Sequence, residues 1–100
     1  MSLSRQKIDL DAAHEHLSTL EAWSINPDGK LEKNYEFADF TQAMAFINGV
    51  AEHADALDHH PELFNVYNRV DIQLVTHDAD GLTEYDFELA RRCDEVAQTL

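Results

Sequence analysis

Apolar positions recur along this chain with two periods, and the change from one to the other marks its elements. Leu10, Ala13, Leu17 and Leu20 repeat every three or four residues, which predicts a first helix over 9–22. Asp9 or Asp11 is its expected cap. Trp23 and Ile25 begin a short strand, and Asn26-Pro27-Asp28-Gly29 reads as a turn. Proline presets the backbone at the second turn position and glycine suits the fourth. Leu31, Lys33, Tyr35 and Phe37 then alternate with Glu32, Asn34 and Glu36. That is a half-buried strand, paired with the first in a hairpin.

The helical period returns after Asp39, which with Gln42 resembles a capping box. Ala43, Phe46, Ile47, Val50, Ala51, Ala54 and Leu57 form one stripe, ending before Pro61. Gly49 within it suggests close approach to the sheet. Val66 and Tyr67 lead into a strand in which Val70, Ile72, Leu74 and Thr76 face the core. Asp71, Gln73, Val75 and His77 face away from it. Asp78-Ala79-Asp80-Gly81 is a turn, and Thr83 with Asp86 opens a last helix with an apolar seam of Leu89, Cys93, Val96 and Leu100. The expected fold is α+β: a four-stranded antiparallel sheet with helices packed on one face, in the order α-β-β-α-β-β-α.

Bulk properties narrow the function. One hundred residues, 44% hydrophobic and 27% charged, suit a single globular domain over 1–100. No apolar run approaches the ~20 residues of a membrane span, and the start lacks a signal's apolar region. A cytoplasmic location is expected, and the single cysteine agrees with it. Twenty acidic residues against seven basic ones give a net charge of −13, which repels a phosphate backbone. Direct nucleic-acid binding is not expected.

The chemistry concentrates in DHHPELFNVYN, residues 58–68. Asp55 and His59 stand four apart on one helical face, where the carboxylate can orient the ring. His60 should point elsewhere, and Pro61 stiffens the exit. If the strand end carrying His77 meets this helix end, three imidazoles and a carboxylate share one cleft. Imidazoles on two sides of a bound molecule can take one proton and deliver another near neutral pH, which suits a dehydration. Cys93 sits on a buried seam, and three scattered glycines build no phosphate loop. A zinc site from Asp55, His59, His60 and His77 is the main chemical competitor, although adjacent histidines rarely reach one ion. Asp78-x-Asp80-Gly81 lacks the remaining ligands of a calcium loop. His14, His16 and His53 are expected on the surface.

From about Trp23 to Val96 the chain resembles the pterin-4a-carbinolamine dehydratases, most densely over AEHADALDHHPELFNVYNRVDIQLVTHDADGLTEYD, residues 51–86. Asp55, His59, His60, Pro61, Tyr67, His77 and Asp86 stand at the family's spacings. The resemblance implies removal of water from 4a-hydroxytetrahydropterin to give quinonoid dihydropterin, in recycling the cofactor of aromatic amino acid hydroxylases. It implies acid–base roles for His59 and His77, a pterin-holding role for His60 with some catalytic share, and support of His59 by Asp55. Backbone groups around Val75 and Thr76 would meet the pyrimidine ring. The resemblance further implies no metal, no organic cofactor, and a homodimer or homotetramer. Leu63 replaces the family's usual tryptophan, so Leu63 and neighbouring Phe64 are the expected pocket wall. Ala56 stands where a lysine is common, and Asp55 is shorter than the usual glutamate. Two other readings stay open: a dimerisation cofactor of a transcription regulator, and a paralogue that binds a pterin without turnover.

Overall fold

A computed structural model describes residues 2–100. Helix α1 (Leu10–Leu17) is followed by strands β1 (Ser24–Ile25) and β2 (Leu31–Glu36) and by helix α2 (Phe40–Leu57). Strands β3 (Glu62–Val66) and β4 (Arg69–Leu74), a 3₁₀ turn (His77–Ala79) and helix α3 (Glu84–Gln98) complete the order. The fold is α+β in the expected order, with one antiparallel sheet ordered β1-β2-β4-β3.

Burial follows the alternation. Leu31, Tyr35, Val70, Ile72 and Leu74 lie on the covered face. They pack with Ala43, Phe46, Val50 and Ala54 of α2 and Phe87, Leu89, Ala90 and Cys93 of α3. Burial pushes the Cys93 thiol up to about 12, so it acts as a core side chain and not a nucleophile. Lys33 also falls on the covered face, and snorkels rather than breaking the pattern. Its Nζ donates to Asp94 at 2.8 Å and to the Glu21 carbonyl at 3.1 Å. Tyr35 and Trp23 donate to the same carboxylate. Burial and the Asp94 contact hold the Tyr35 phenol above its ordinary range.

Several boundaries and one cap differ from the periodicity, and Trp23 and Phe37 fall just outside β1 and β2. Helix α1 ends at Leu17, not residue 22, because Ser18 and Thr19 turn their hydroxyls back onto the Glu15 and His16 carbonyls. Asp39 caps α2 by accepting the Gln42 N–H, but the Gln42 amide oxygen reaches the Ala38 N–H, one residue before the position of a full capping box. Strand β3 begins at Glu62, and Tyr67 is a left-handed turn residue (φ 49°) rather than part of a strand. As an edge strand exposed along most of its length, β3 has no burial alternation to read. Strand β4 stops at Leu74, leaving Thr76 in an isolated bridge with Gly81 and His77 in the following turn. The α3 seam ends at Val96, since Leu100 is exposed.

Gly49 permits close approach to α3 rather than to the sheet. A Cβ there would lie 2.6 Å from Val96 Cγ1. Valine is stiff at χ1 and yields poorly. Overpacking of ~1–3 kcal/mol should therefore exceed the ~1 kcal/mol that alanine gains in helix propensity. Gly49→Ala is expected to lower the thermal midpoint by a few degrees, read by calorimetry; a raised midpoint would show that Val96 moves aside freely.

Candidate active site

The end of α2 sets the geometry. Asp58 takes a left-handed conformation (φ 50°, ψ 46°), and its N–H bonds back to the Ala54 and Asp55 carbonyls. The His59 N–H also reaches Ala54 O, at 3.0 Å. Aspartate tolerates this conformation better than most side chains. The reversal leaves the next two rings in different surroundings. The side chain of His59 is 6% exposed and that of His60 61%.

The rings choose different carboxylates from those the helical spacing suggests. His59 Nε2 lies 2.6 Å from Asp86 Oδ1, at the start of α3. Asp55 instead meets His60, with Nε2 to Oδ1 at 2.9 Å, as an exposed pair. The expectation that Asp55 supports His59 is thus corrected. The i,i+4 rule holds only while the helix continues, and α2 ends at Leu57, so His59 leaves the Asp55 face.

Asp86 is fully buried and accepts from three separate parts of the chain. Its Oδ2 accepts the Thr83 N–H and the Thr76 hydroxyl, each at 2.9 Å, while Oδ1 faces His59. The Thr76 and Thr83 hydroxyls lie 2.8 Å apart. Because Thr76 donates to Asp86, the Thr83 hydroxyl donates to Thr76. With the carboxylate as acceptor, the proton of a neutral His59 ring sits on Nε2. Its Nδ1 then has no hydrogen-bond partner among the described residues. A buried carboxylate that fixes an imidazole in one tautomer makes the opposite nitrogen the reactive one.

His59, His60 and His77 line one open hollow of about 250 Å³. Val75 and Thr76 form its strand side, and Arg5, Asp58 and Asp78 complete the rim. His77 is exposed, with Nε2 3.9 Å from Glu62 Oε2. Larger concavities of about 420, 390, 350 and 330 Å³ lie elsewhere, but of these only the 350 Å³ one has a histidine, the single ring of His53. Leu63 and Phe64 do not wall the hollow. Strand β3 pairs Glu62 with Gln73, Leu63 with Ile72 and Phe64 with Asp71, and so runs away from the strand end that bears His77. The two side chains border a separate concavity with Asp71 and Gln73.

Among the described residues no three His, Cys, Asp or Glu side chains converge as a metal-binding group. Of the helical histidines, His14 is exposed, whereas His16 is half-buried and stacks on Phe87 at 4.9 Å. The rim residues Arg5, Asp58 and Asp78 were not among the expected site residues. Asp86 was expected as a helix cap and at a family spacing, but the Thr83-x-x-Asp86 spacing accounts for its helix and not for the histidine it holds. Arg5 carried no signal.

Taken together, the chain is an α+β sheet-and-helix fold that holds a carboxylate-backed histidine at an open hollow. Residues 6–96 match the family model described as pterin 4 alpha carbinolamine dehydratase, and the chain belongs to that family. A relative from Rhizobium meliloti (strain 1021), provisionally named a pterin-4-alpha-carbinolamine dehydratase, is 48% identical over 94 residues, 93% of this chain and 90% of that one. One of the same name from Burkholderia multivorans (strain ATCC 17616 / 249) is 48% identical over 92 residues, covering 91% of this chain and 90% of that one. The crystal structure of a transcriptional coactivator/pterin dehydratase from Brucella melitensis superposes with a TM-score of 0.89 at 36% identity, covering 92% of this chain and 99% of that one. A pterin dehydratase-like RuBisCO assembly factor of the alpha-carboxysome shares the fold, with a TM-score of 0.67 at 24% identity, over 77% of this chain and 90% of that one. Among the described residues no helix is long and apolar enough to cross a membrane.

Proposed function

We propose that this protein dehydrates 4a-hydroxytetrahydropterin to quinonoid dihydropterin and water by histidine acid–base catalysis, without a metal or organic cofactor. The observation that carries this reading is the single hollow lined by three imidazoles, one of them backed by a buried carboxylate. The substrate's C4a hydroxyl leaves as water once its oxygen receives a proton. The C–O electron pair departs with that oxygen, a ring-nitrogen lone pair forms the new double bond, and the N–H proton is then lost. One proton enters and one leaves, so the protein is unchanged over the cycle.

His59 is the primary acid–base group, working through Nδ1 while Asp86 holds Nε2. His77, exposed on the lining of the same hollow, serves a second position on the substrate. His60 orients the ring, with a smaller catalytic share, and Asp55 steadies His60. Backbone groups of Val75 face the pyrimidine edge, whereas those of Thr76 are engaged with Gly81 and Ala79. The setting is cytoplasmic recycling of the pterin used by an aromatic amino acid hydroxylase.

The active form in this reading is a homodimer or homotetramer. Edge strand β3 and its turn leave Leu63, Phe64, Val66 and Tyr67 exposed, as suits a second copy laid along that edge. A coactivator role resting on the α3 seam is less well supported, because Leu89 and Cys93 are buried within the chain. The deciding experiment mixes freshly generated 4a-hydroxytetrahydropterin with the protein and follows quinonoid product by stopped-flow absorbance. Acceleration well above the spontaneous loss of water is expected. Pterin binding without acceleration would favour the non-catalytic paralogue.

A further inference from the structure

The segment before α1 crosses the helical side of the hollow as a strap. The Ser4 N–H donates to Glu84 Oε2 at 2.9 Å, and the Ile8 N–H donates to the Leu82 carbonyl at 2.8 Å. The Lys7 stem packs over Gly81, where a Cβ would lie 2.7 Å from Lys7 Cε. Arg5 lies between these anchors. One of its guanidinium nitrogens donates to both the Leu57 and Asp58 carbonyls, at 3.1 Å each. Its guanidinium carbon lies 4.0 Å from the centroid of the Tyr85 ring, and that ring lies 5.9 Å from His59.

These contacts meet two needs that α2 leaves open. A helix ends with unpaired carbonyls, and a cation near them is favourable. Helix α2 has no basic residue in its last turn. Arg5 supplies both the donors and the charge from more than fifty positions away in sequence, at the two residues immediately before His59 and His60. It also presses on the aromatic ring beside His59. The geometry points to Arg5 as a positioning residue: it fixes the Leu57–Asp58 turn and, through it, the placement of the His59 and His60 rings in the hollow. The consequence for turnover rests on the dehydratase reading; the consequence for the turn does not.

The experiment compares wild type with Arg5→Ala and Arg5→Lys in the full chain. Amide exchange by NMR should speed up about tenfold or more at Asp58 and His59 in Arg5→Ala, while amides in the middle of α2 keep their protection. In the dehydration assay, kcat should fall by about 10- to 100-fold, as a small misplacement of reacting groups can cause, with KM changed less than about threefold. Arg5→Lys keeps the charge and should regain part of both losses. Unchanged exchange at Asp58 and His59 overturns the proposal, whether or not the rate falls, since a rate loss alone would make Arg5 a substrate contact. Faster exchange with unchanged kcat overturns the link to catalysis. If wild type shows no turnover, the dehydratase reading fails, and the exchange comparison still decides whether Arg5 sets the turn.

Discussion

His59→Ala is expected to lower the dehydration rate by about 10²–10⁴-fold, the range associated with a positioned acid–base group. The effect should fall mainly on kcat, because the small hollow keeps its other lining residues. The same substitution at His60 or His77 should cost less. Both of those rings are largely exposed and lie beside exposed carboxylates, so neither is held in one orientation as His59 is. Stopped-flow rates at saturating substrate, with circular dichroism to verify folding, measure the difference. A His59→Ala protein that is folded and as fast as wild type would remove His59 from the reaction.

Asp86 carries the second large effect, and two substitutions separate its roles. Asp86→Ala leaves the Thr83 N–H, the Thr76 hydroxyl and the His59 Nε2–H without their acceptor inside the protein. Breaking such a buried pair costs roughly 3–5 kcal/mol, a large share of the ~5–15 kcal/mol that holds a domain together. The thermal midpoint should drop by more than about 10 °C, given about 4–8 °C per kcal/mol at this size. Asp86→Asn is nearly isosteric but has one acceptor oxygen in place of two. If that oxygen keeps the Thr83 and Thr76 donors, the amide N–H groups face His59 Nε2. The ring must then hold its proton on Nδ1, the nitrogen that the proposed reaction uses for proton exchange. A folded Asp86→Asn protein slowed by about 10³-fold or more is expected, by the tautomer logic known from catalytic triads. Near-normal turnover would show that the Asp86–His59 contact serves stability alone.

The energetic contrast between the two carboxylate–histidine pairs explains why they differ in importance. Asp55–His60 is exposed on both sides, and such pairs contribute about 0–1 kcal/mol. His59–Asp86 is closed to water and braced by two threonines, so each partner restricts the other. Only the second pair can present one defined nitrogen to a ligand.

Much of this protein is written in local pattern. The alternation from Leu31 to Tyr35 and from Val70 to Leu74, and the apolar stripe from Ala43 to Ala54, determined the two central strands and the long helix. A strand buried on one face and a helix buried along one stripe have no other way to satisfy their side chains. The His-His-Pro run and its spacing to His77 likewise marked the family and directed attention to the end of the sheet where the three histidines meet. What the chain by itself left open were partnerships between distant elements. Edge strand β3 has little burial pattern because solvent lies on most sides of it. Asp86 reads as a helix cap, and only packing of α3 against the end of α2 brings it to His59. Asp55 looks like that ring's partner until the left-handed turn at Asp58 rotates His59 away. Arg5 reaches its carbonyls across a gap of more than fifty residues. Periodicity reports which side of an element is buried; which side chain it meets there depends on how the elements stack, and tertiary structure alone decided that.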